Sequence, residues 1–379
     1  MNHFHSELQY VPESITLLNM VAQPGNYITD YMHQLASQYG VTPDTKANQV
    51  VELLQEIENA ARTEFSQDSD VLKYYCDSDQ ELGKADSLAN ILILAETVNL
   101  NHRSVAEQKE YLENLSEQEY IQKFYEALQA YSSNVVDDND DDAIETVDVV
   151  DYIFRMDISD EKKLQLQQLF FHHSEHIPIV ISLMLRAEKL LKKYEKKLMA
   201  KARDVISYVE KEVGGDSLSD YILQKYYGGV ENPTYGKDCE VYISYLKCAT
   251  MGCMMKGDTY EDMRAVVMLG VIFSPAISLG YLVDQRAQLS EEKVMAIMKL
   301  LADKSKFQIL SATVDAPAYG SQLANVLGLT TATISHHTSA LLEQNLLTLD
   351  KVDTKIYYRA NPIMIRAIIQ YLQKTLLKE

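Results

Sequence analysis

The chain has 379 residues and a formal net charge of −20. This length exceeds what one hydrophobic core usually covers, so we expect two or three domains. No run of about 18 uncharged apolar residues occurs, the start lacks a signal-peptide pattern, and four cysteines are scattered, so we expect a cytoplasmic protein with reduced thiols and no membrane partner.

The first part of the chain is predicted to be mainly helical. Two capping boxes, Ser104 with Glu107 and Ser116 with Glu119, predict helix starts. The acidic run 137–142 is too charged to pack in a core, so it predicts a loop or an internal break, with a cation site as the alternative. Apolar residues recur at helical spacing in four segments, Ile15–Tyr39, Val50–Phe65, Leu82–Leu100 and Ile121–Leu128.

A long helix is predicted in the middle of the chain. A helical stretch begins near Glu161, and Pro178 then marks the start of a helix that runs to Val213 and ends at Gly214-Gly215. Residues 189–198 carry charge around much of the helix circumference. We therefore expect this helix to bridge two parts of the protein.

A small β element is predicted after the long helix. Val241, Ile243 and Tyr245 alternate with their neighbours, and residues 266–273 form a short apolar run. The alternation of residues 4–10 near the N-terminus predicts a further strand. The N-terminal domain, residues 1–285, is therefore predicted to be a large, acidic, mostly helical domain with a small sheet.

Residues 290–379 have the pattern of a helix-turn-helix followed by a hairpin. Asp303 can cap a helix that carries Phe307, Ile309 and Leu310, and Gly328 supplies a tight turn between two later helices. The helix from Tyr319 to Leu327 is predicted to bury Leu323, Val326 and Leu327. The next helix, capped by Thr330 or Thr331, is predicted to bury Ile334, Thr338 and Leu341. Thr348–Val352 and Lys355–Ala360 are predicted to form a two-stranded ribbon, the wing.

The second helix of this pattern has polar residues on its outward side. Short hydrogen-bonding side chains at the start of such a helix suit base edges in a major groove, and basic residues on the ribbon suit phosphates. A solvated helix with no partner is the alternative. The predicted base-reading residues are Thr331, Thr333, Ser335, His336 and Ser339, and the predicted backbone-contacting residues are Lys351, Lys355 and Arg359.

From Ser290 the chain resembles the ArsR-type winged-helix regulators. The resemblance implies a winged helix-turn-helix domain in a sequence-specific DNA-binding transcriptional regulator, which we expect to be a repressor. Three positions depart from the family pattern: Asn345 replaces a usual Gly, Thr338 replaces a common Leu or Met, and Asp353 stands at the wing tip. The resemblance rests on residues 301–310, 319–324, 328–337, 341–342, 346–347 and 356–359.

The charge distribution agrees with a DNA-binding C-terminal segment. Residues 291–379 hold ten Lys or Arg and eight Asp or Glu, whereas the other 290 residues hold 25 basic and 47 acidic residues. Phosphates repel an acidic surface, so we expect the N-terminal domain to face away from the duplex.

The sequence offers weak candidates for a metal or redox site. The helix before the recognition helix contains no Cys or His, and the last helix lacks the carboxylates and imidazoles that some ArsR-type proteins use, so no metal or other cofactor is expected. Cys239, Cys248 and Cys253 lie within fifteen residues, but buried structural thiols are the preferred interpretation. His172 and His176 have metal-ligand spacing, although ordinary surface histidines are preferred. Tyr226 and Tyr227 could line a pocket or pack a loop.

The last helix is predicted to pair two chains. Pro362 suits its first turn, and its apolar face is wider than one small domain needs, so a homodimer would cover it. Coverage by the N-terminal domain of the same chain is the alternative. The predicted interface consists of Ile365, Ile368, Ile369, Leu372 and Leu376, with Val294, Ile297, Met298 and Leu301 beside it.

The most consistent interpretation is a mainly α protein with a C-terminal winged helix-turn-helix domain. No P-loop, dinucleotide fingerprint, nucleophile elbow or zincin motif occurs, so we expect no catalytic residues and no enzyme activity. The predicted partners are double-stranded DNA, a second copy of the chain and a small-molecule ligand sensed by the N-terminal domain. The alternatives are an enzyme or a protein-interaction scaffold that carries a fused winged helix.

Overall fold

The computed structural model describes most of the chain. The described residues are 2–39, 45–78, 87–94, 104–131, 144–156, 158–215, 217–227, 239–256, 264–275, 277–279, 291–314, 316–344, 346–352 and 355–377. The predicted acidic loop 137–142, Gly228-Gly229, Asn345, Asp353 and the boundary between residues 285 and 290 lie outside them. Most of the segment predicted as a helix from Leu82 to Leu100 also lies outside the described residues. The same holds for the side chains of Tyr226, Tyr227 and Cys253.

The N-terminal body, residues 2–279, is mainly helical, as predicted. Both capping boxes form, with the backbone N–H of Glu107 donating to Ser104 Oγ at 3.2 Å and that of Glu119 donating to Ser116 Oγ at 3.3 Å. The described helices are α1 Tyr10–Ala22, α2 Tyr27–Tyr39, α3 Thr45–Glu64, α4 Ser69–Cys76, α5 Leu88–Leu92, α6 Val105–Asn114, α7 Glu117–Tyr131, α8 Thr146–Arg155, α9 Asp160–Phe171, α10 His173–Lys192, α11 Glu195–Val213 and α12 Leu218–Tyr227.

Four strands of the body form one mixed sheet. They are β1 Asn2–His5, β2 Cys239–Ser244, β3 Met251–Lys256 and β4 Arg264–Gly270, in the order β1-β2-β4-β3. The N-terminal strand lies parallel to β2, with Phe4 opposite Val241, and β2 lies parallel to β4. The predicted strand near the N-terminus is confirmed but ends at His5, because the chain turns into α1 by Tyr10. Strand β3 was not predicted.

Three buried glutamates connect distant elements of the body. Glu58 on α3 accepts hydrogen bonds from the backbone N–H groups of Tyr27 and Ile28, at 2.7 and 3.0 Å, at the start of α2. Glu188 on α10 accepts from Val105 N at the start of α6, at 2.8 Å. Glu13 on α1 accepts hydrogen bonds from the backbone N–H groups of Tyr245 and Leu246, which follow β2. Each carboxylate satisfies backbone donors that the helix and strand ends would otherwise leave unpaired.

The helical spacing from Ile15 to Tyr39 belongs to two helices. The chain forms α1 and α2, which the segment 23–26 separates. Pro24 has no backbone N–H to donate and Gly25 adopts a φ of +88°, so the helical hydrogen-bond ladder stops there.

The prediction that Pro178 restarts the chain is wrong. Helix α10 begins five residues earlier, where the His173 ring stacks on Tyr120 at 3.9 Å and His176 Nδ1 lies 2.6 Å from the Tyr75 hydroxyl. These tertiary contacts hold the first turn before the proline. Pro178 therefore lies inside α10, where it removes one backbone donor.

The predicted bridging helix is two helices within the body. Tyr194 N donates to Leu191 O at 2.9 Å, a three-residue bond that ends α10 before α11 starts. The apolar residues of this stretch, among them Leu190, Leu191 and Leu198, are buried in the main core. The charged residues at positions 189–197 lie on the exposed or half-buried side, so this segment belongs to the body and its core. Gly214, in the left-handed conformation, ends α11 as predicted.

The C-terminal segment folds around a second, smaller core. Its elements are α13 Glu291–Leu301, α14 Lys304–Ala312, β5 Ala318–Tyr319, α15 Gly320–Leu327, α16 Thr331–Glu343, β6 Leu347–Val352, β7 Lys355–Ala360, α17 Pro362–Leu372 and a π-helical turn Gln373–Leu377. The strands form a separate sheet in the order β5-β7-β6. The buried residues of this core are Ile297, Ile309, Leu310, Leu323, Ala324, Ile334, Leu341, Leu346, Leu347, Tyr358, Ala360 and Ile368.

Candidate DNA interface

Residues 303–343 form a capped helix-turn-helix. Asp303 Oδ1 accepts a hydrogen bond from Lys306 N at 3.0 Å at the start of α14, and Thr330 Oγ1 accepts from Thr333 N at 3.1 Å at the start of α16. Gly328 ends α15 in the left-handed conformation at φ +66°, and nothing lies within 4 Å of the position its Cβ would take. The turn therefore needs glycine for its backbone angle and not for space.

Helix α16, the recognition helix, has one buried and one accessible face. Ile334, Thr338 and Leu341 are almost completely buried, at i, i+4 and i+7. The opposite face is centred on the exposed His336, with the half-buried Ser339 three residues later. This arrangement leaves an imidazole and a hydroxyl where a base edge could reach them.

The other predicted base-reading residues lie at the edges of this face. Thr331 is exposed at the first position of the recognition helix, and Ser335 is half-buried. The Thr333 hydroxyl lies 2.8 Å from the capping Thr330 hydroxyl. Thr333 is therefore held in the cap, whereas Thr331 and His336 are the predicted base-reading residues that are exposed.

Thr338, the departure from the family pattern, is satisfied inside the domain. Its hydroxyl donates to the carbonyl oxygens of Ile334 at 2.9 Å and Ser335 at 3.0 Å. A buried hydroxyl would destabilise the fold if it were unpaired, and these bonds to the preceding turn prevent that loss. The substitution therefore removes apolar volume without leaving a buried donor unpaired.

His337 is an additional residue that the sequence reasoning did not single out. It is half-buried on the flank of the recognition helix, and its Nδ1 atom is buried with no hydrogen-bond partner. Burial lowers the pKa of its imidazole, and the nearby Lys306 ammonium lowers that pKa further, although Asp303 opposes the shift. His337 therefore lies beside the start of α14, close enough for Lys306 and Asp303 to act on its imidazole.

The wing is a three-stranded element rather than the predicted two-stranded ribbon. Strands β6 and β7 pair as predicted, with Thr348 opposite Arg359 and Val352 opposite Lys355. Ala318 and Tyr319 add β5 on the far side of β7, and the Tyr319 and Tyr357 rings meet edge to face at 5.5 Å. A two-residue strand is too short to show an alternating pattern, which is why it was missed.

The structure describes one of the three predicted phosphate-contacting side chains. Arg359 is half-buried on β7, while the side chains of Lys351 and Lys355 lie outside the described residues. The backbone register places residue 355 in the last described pair of the hairpin, opposite Val352, and residue 351 in the pair before it, opposite Ile356.

One predicted core residue of α15 is exposed instead. Leu323 is buried, but Val326 is 73% exposed and Leu327 is only partly buried. Leu323 and Ala324 already fill the inward side of this eight-residue helix, so position 326 falls on its outer side. The prediction that Val326 belongs to the core is wrong.

Comparison with known protein families identifies this domain. Residues 303–348 match the family described as bacterial regulatory protein, arsR family. The C-terminal domain is an ArsR-type winged helix-turn-helix. This domain makes the chain a DNA-binding transcriptional regulator. The family match extends from the cap of α14 to the first wing strand. No curated protein matches the chain.

Solved structures similar to this chain match about a quarter of it. An ArsR-like transcriptional regulator from Rhodococcus sp. RHA1 is 24% identical over 23% of this chain and 82% of its own, with a TM-score of 0.22. Reduced HlyU from Vibrio cholerae is 22% identical over 22% and 90%, with a TM-score of 0.20. NolR from Sinorhizobium fredii is 26% identical over 23% and 94%, with a TM-score of 0.19.

Two of the three cysteine candidates and one histidine of the proposed pair are engaged in packing. Cys239 and Cys248 are fully buried, and burial raises the pKa of both thiols, that of Cys248 to about 12. A buried thiol with a raised pKa is a poor nucleophile and a poor ligand. His176 bonds Tyr75, so the His172–His176 pair does not present two free imidazoles. Within the described residues no group of three or more His, Cys, Asp or Glu could hold a metal ion.

The last helix keeps part of its apolar face accessible. Ile368 is buried in the domain's own core, and Ile365 and Leu372 pack partly against it. Ile369 is 50% exposed, Leu376 is 73% exposed, and Leu377 beside it is also exposed. On α13, Val294 and Ile297 are buried while Met298 is exposed.

No helix in the described part of the chain is long and apolar enough to cross a membrane.

Proposed function

We propose that this protein is a homodimeric repressor that reads its operator with the recognition helix. The observation that carries the proposal is the accessible polar face of α16, centred on His336, on a helix whose other face anchors it in the domain core. The segment is the basic part of an otherwise acidic chain. Polar side chains can then specify bases, while Lys351, Lys355 and Arg359 hold the phosphate backbone.

We propose repression as the outcome of binding. A dimer on two half-sites about one DNA turn apart would block polymerase wherever its operator overlaps the promoter. We further propose that residues 1–285 sense a small-molecule ligand or a partner and change the affinity of the dimer for DNA. The acidic charge of these residues would keep them away from the duplex.

Footprinting on the DNA flanking the gene tests the DNA-binding proposal. We expect protection of a pseudo-palindrome whose half-sites lie about 10 base pairs apart, with an affinity that falls steeply with salt. A protein-interaction scaffold would give no salt-sensitive, sequence-specific protection. Protection of a single half-site would contradict the dimer.

The dimer interface can be tested without disturbing the fold. Ile369 and Leu376 are exposed in the single chain, so Ile369→Glu with Leu376→Glu should leave the domain folded. We expect light scattering to change from a dimer to the 43.1 kDa monomer, because two carboxylates would be buried at the interface. Val314→Glu, at another exposed apolar position, is the matched control. A dimer that survives the double change would place the interface elsewhere.

A further inference from the structure

One side of helix α10 is left uncovered by the N-terminal body. Ile179 is 42% exposed and Leu185 is 40% exposed, although the opposite side of the same helix is buried in the main core. Spacings of three and four residues place the exposed positions along one side of a helix. This side, the α10 face, consists of Glu175, Pro178, Ile179, Ser182, Leu185 and Lys189.

The α10 face is arranged symmetrically around Ser182. Ile179 and Leu185 lie three residues before and after the serine, and Glu175 and Lys189 lie seven residues before and after it. At a rise of 1.5 Å per residue, each charge is about 10 Å from the serine along the helix axis. A two-fold axis through Ser182, perpendicular to the helix, therefore brings the acidic end of one α10 beside the basic end of another.

The two charges at the ends of the α10 face are not engaged strongly within the chain. Lys189 is exposed and forms no ion pair with the rest of the described chain. Glu175 Oε1 lies 3.8 Å from His172 Nδ1, and such an exposed pair contributes little. Arg186 borders the face, but its guanidinium pairs with Asp68 at 2.9 Å. Glu175 and Lys189 are therefore the charges that a partner would meet.

We propose that the α10 face packs antiparallel against the α10 face of a second copy of the chain. Ser182 lies at the centre, where its small side chain allows the two helices to approach closely. Ile179 and Leu185 bury their apolar surface around it, and Glu175 pairs with the partner's Lys189 at each end. The proposal rests on the homodimer proposed above and adds a second contact between the same two chains.

The α10 contact is small, so it depends on the contact of the last helix. About four turns of one helix per copy take part, whereas stable interfaces bury about 1,200–2,000 Å² in total. The two acidic N-terminal bodies also repel each other. Pairing through the last helix holds the bodies at a high effective concentration, at which a weak second contact can form. The α10 contact would then hold the two bodies in one arrangement within the dimer.

Disulfide cross-linking of the full chain tests the antiparallel arrangement. A cysteine on the two-fold axis meets its own symmetry mate, so we expect oxidised Ser182→Cys to migrate mainly as a covalent dimer in non-reducing electrophoresis. Lys189→Cys is the matched control, because it is exposed on the same face but lies about 21 Å from its mate when the helices are antiparallel. We expect at most about a tenth of the cross-link from it, since a disulfide needs Cα atoms within about 7 Å.

Two cross-linking results would overturn the proposal. Equal yields from Ser182→Cys and Lys189→Cys would indicate random collision or a parallel pair of helices. A yield from Ser182→Cys no higher than that of the unmodified chain, which shows the background from its own cysteines, would exclude the contact.

Charge reversal in the Ser182→Cys chain tests the ion pairs. Glu175→Lys places two lysines together at each end of the contact, and we expect cross-linking to slow at least about threefold. Adding Lys189→Glu exchanges the two charges and should restore the original rate. Glu110→Lys, at an exposed position of α6, makes the same change in net charge and should leave the rate unchanged. A rate that Glu175→Lys does not lower, or that Lys189→Glu does not restore, would contradict the pairing.

Light scattering separates this inference from the proposed homodimer. A dimeric chain that gives no cross-link at residue 182 would retain the homodimer and lose the α10 contact. A cross-link that persists after Ile369→Glu with Leu376→Glu would retain the α10 contact and contradict the contact of the last helix. A monomeric unmodified chain would overturn both.

Discussion

The N-terminal body satisfies its backbone donors with distant carboxyl groups as well as with local caps, whereas the side-chain caps described at the helix starts of the winged helix-turn-helix domain are local. In the body, buried carboxylates reach elements far away in sequence: Glu58 binds Ile28 N across 30 residues, Glu188 binds Val105 N across 83, and Glu13 binds Tyr245 N across 232. In the winged domain, Asp303 and Thr330 each cap the backbone N–H three residues ahead.

This difference makes the two regions vulnerable to different changes. A local cap contributes about 1 kcal/mol to the free energy of unfolding, and its loss frays one helix end. A buried carboxylate that accepts several backbone hydrogen bonds depends on the whole tertiary structure, and its removal leaves several donors unpaired in the core. The body should therefore respond sharply to single buried charges, while the winged domain should respond mainly through its DNA contacts.

The largest expected effect comes from separating the two regions. Removal of residues 290–379 should abolish specific DNA binding and leave a folded acidic protein, because the winged domain has its own core and holds the predicted DNA contacts. Fluorescence anisotropy with operator DNA measures the loss, and circular dichroism checks the helical content. A 1–289 protein that still bound specific DNA would contradict the separation of functions.

Glu58→Ala should destabilise the body by about 3–5 kcal/mol. The carboxylate accepts from two backbone N–H groups at the start of α2 and pairs with Arg62 at 2.8 Å, while Glu58 itself is only 2% exposed. Urea unfolding followed by tyrosine fluorescence measures the change. Glu52→Ala, at an exposed position of the same helix, should change stability by less than about 0.5 kcal/mol. Equal effects of the two variants would mean that Glu58 is not a tertiary anchor.

Glu13 should make the stability of the body depend on pH. Burial raises the pKa of Glu13 to about 7 from 4.5, although Tyr245 N and Leu246 N donate to it and lower that pKa. The folded chain therefore holds a proton between pH 4.5 and 7 that the unfolded chain releases. The stabilising contribution is complete below pH 4.5 and is lost as the pH rises through 7.

The comparison of Glu13→Gln with the unmodified chain isolates this contribution. From pH 5 to pH 8 the unmodified chain should lose about 1–3 kcal/mol more unfolding free energy than the variant, whose amide does not titrate. Glu7→Gln at an exposed position is the control. Parallel pH profiles for the unmodified chain and Glu13→Gln would show that Glu13 stays ionised in the folded protein.

Substitutions in the winged domain should have the smallest effects on stability and separate two kinds of DNA contact. His336→Ala should reduce discrimination between operator and altered operator by about 1–3 kcal/mol, because it removes a base contact. Arg359→Ala should instead weaken binding to all sequences and lower the salt slope by about one unit. Salt titrations on both DNAs measure the two quantities. Full sequence preference in the His336 variant would mean that another face of the helix enters the groove.

The winged domain could be predicted from the sequence because its signals are local. A capping side chain and its backbone N–H are three residues apart, the left-handed Gly328 acts on its own turn, and Ile334, Thr338 and Leu341 repeat at helical spacing. Each of these was predicted and is confirmed. Two predictions for this domain failed because the elements are short. The two-residue strand β5 was missed, and Val326 was wrongly predicted to be buried because its helix is too short to show which side faces the core.

The architecture of the N-terminal body was decided by tertiary contacts. Its sequence indicated helices and a small sheet, but no local pattern pairs β1 with β2, which lies more than 230 residues later. The start of α10 before Pro178 depends on Tyr120 and Tyr75, and the ends of α2, α6 and β2 depend on glutamates from other elements. A hydrogen bond between neighbours in sequence leaves a readable spacing, whereas one between distant residues exists only after the chain has folded.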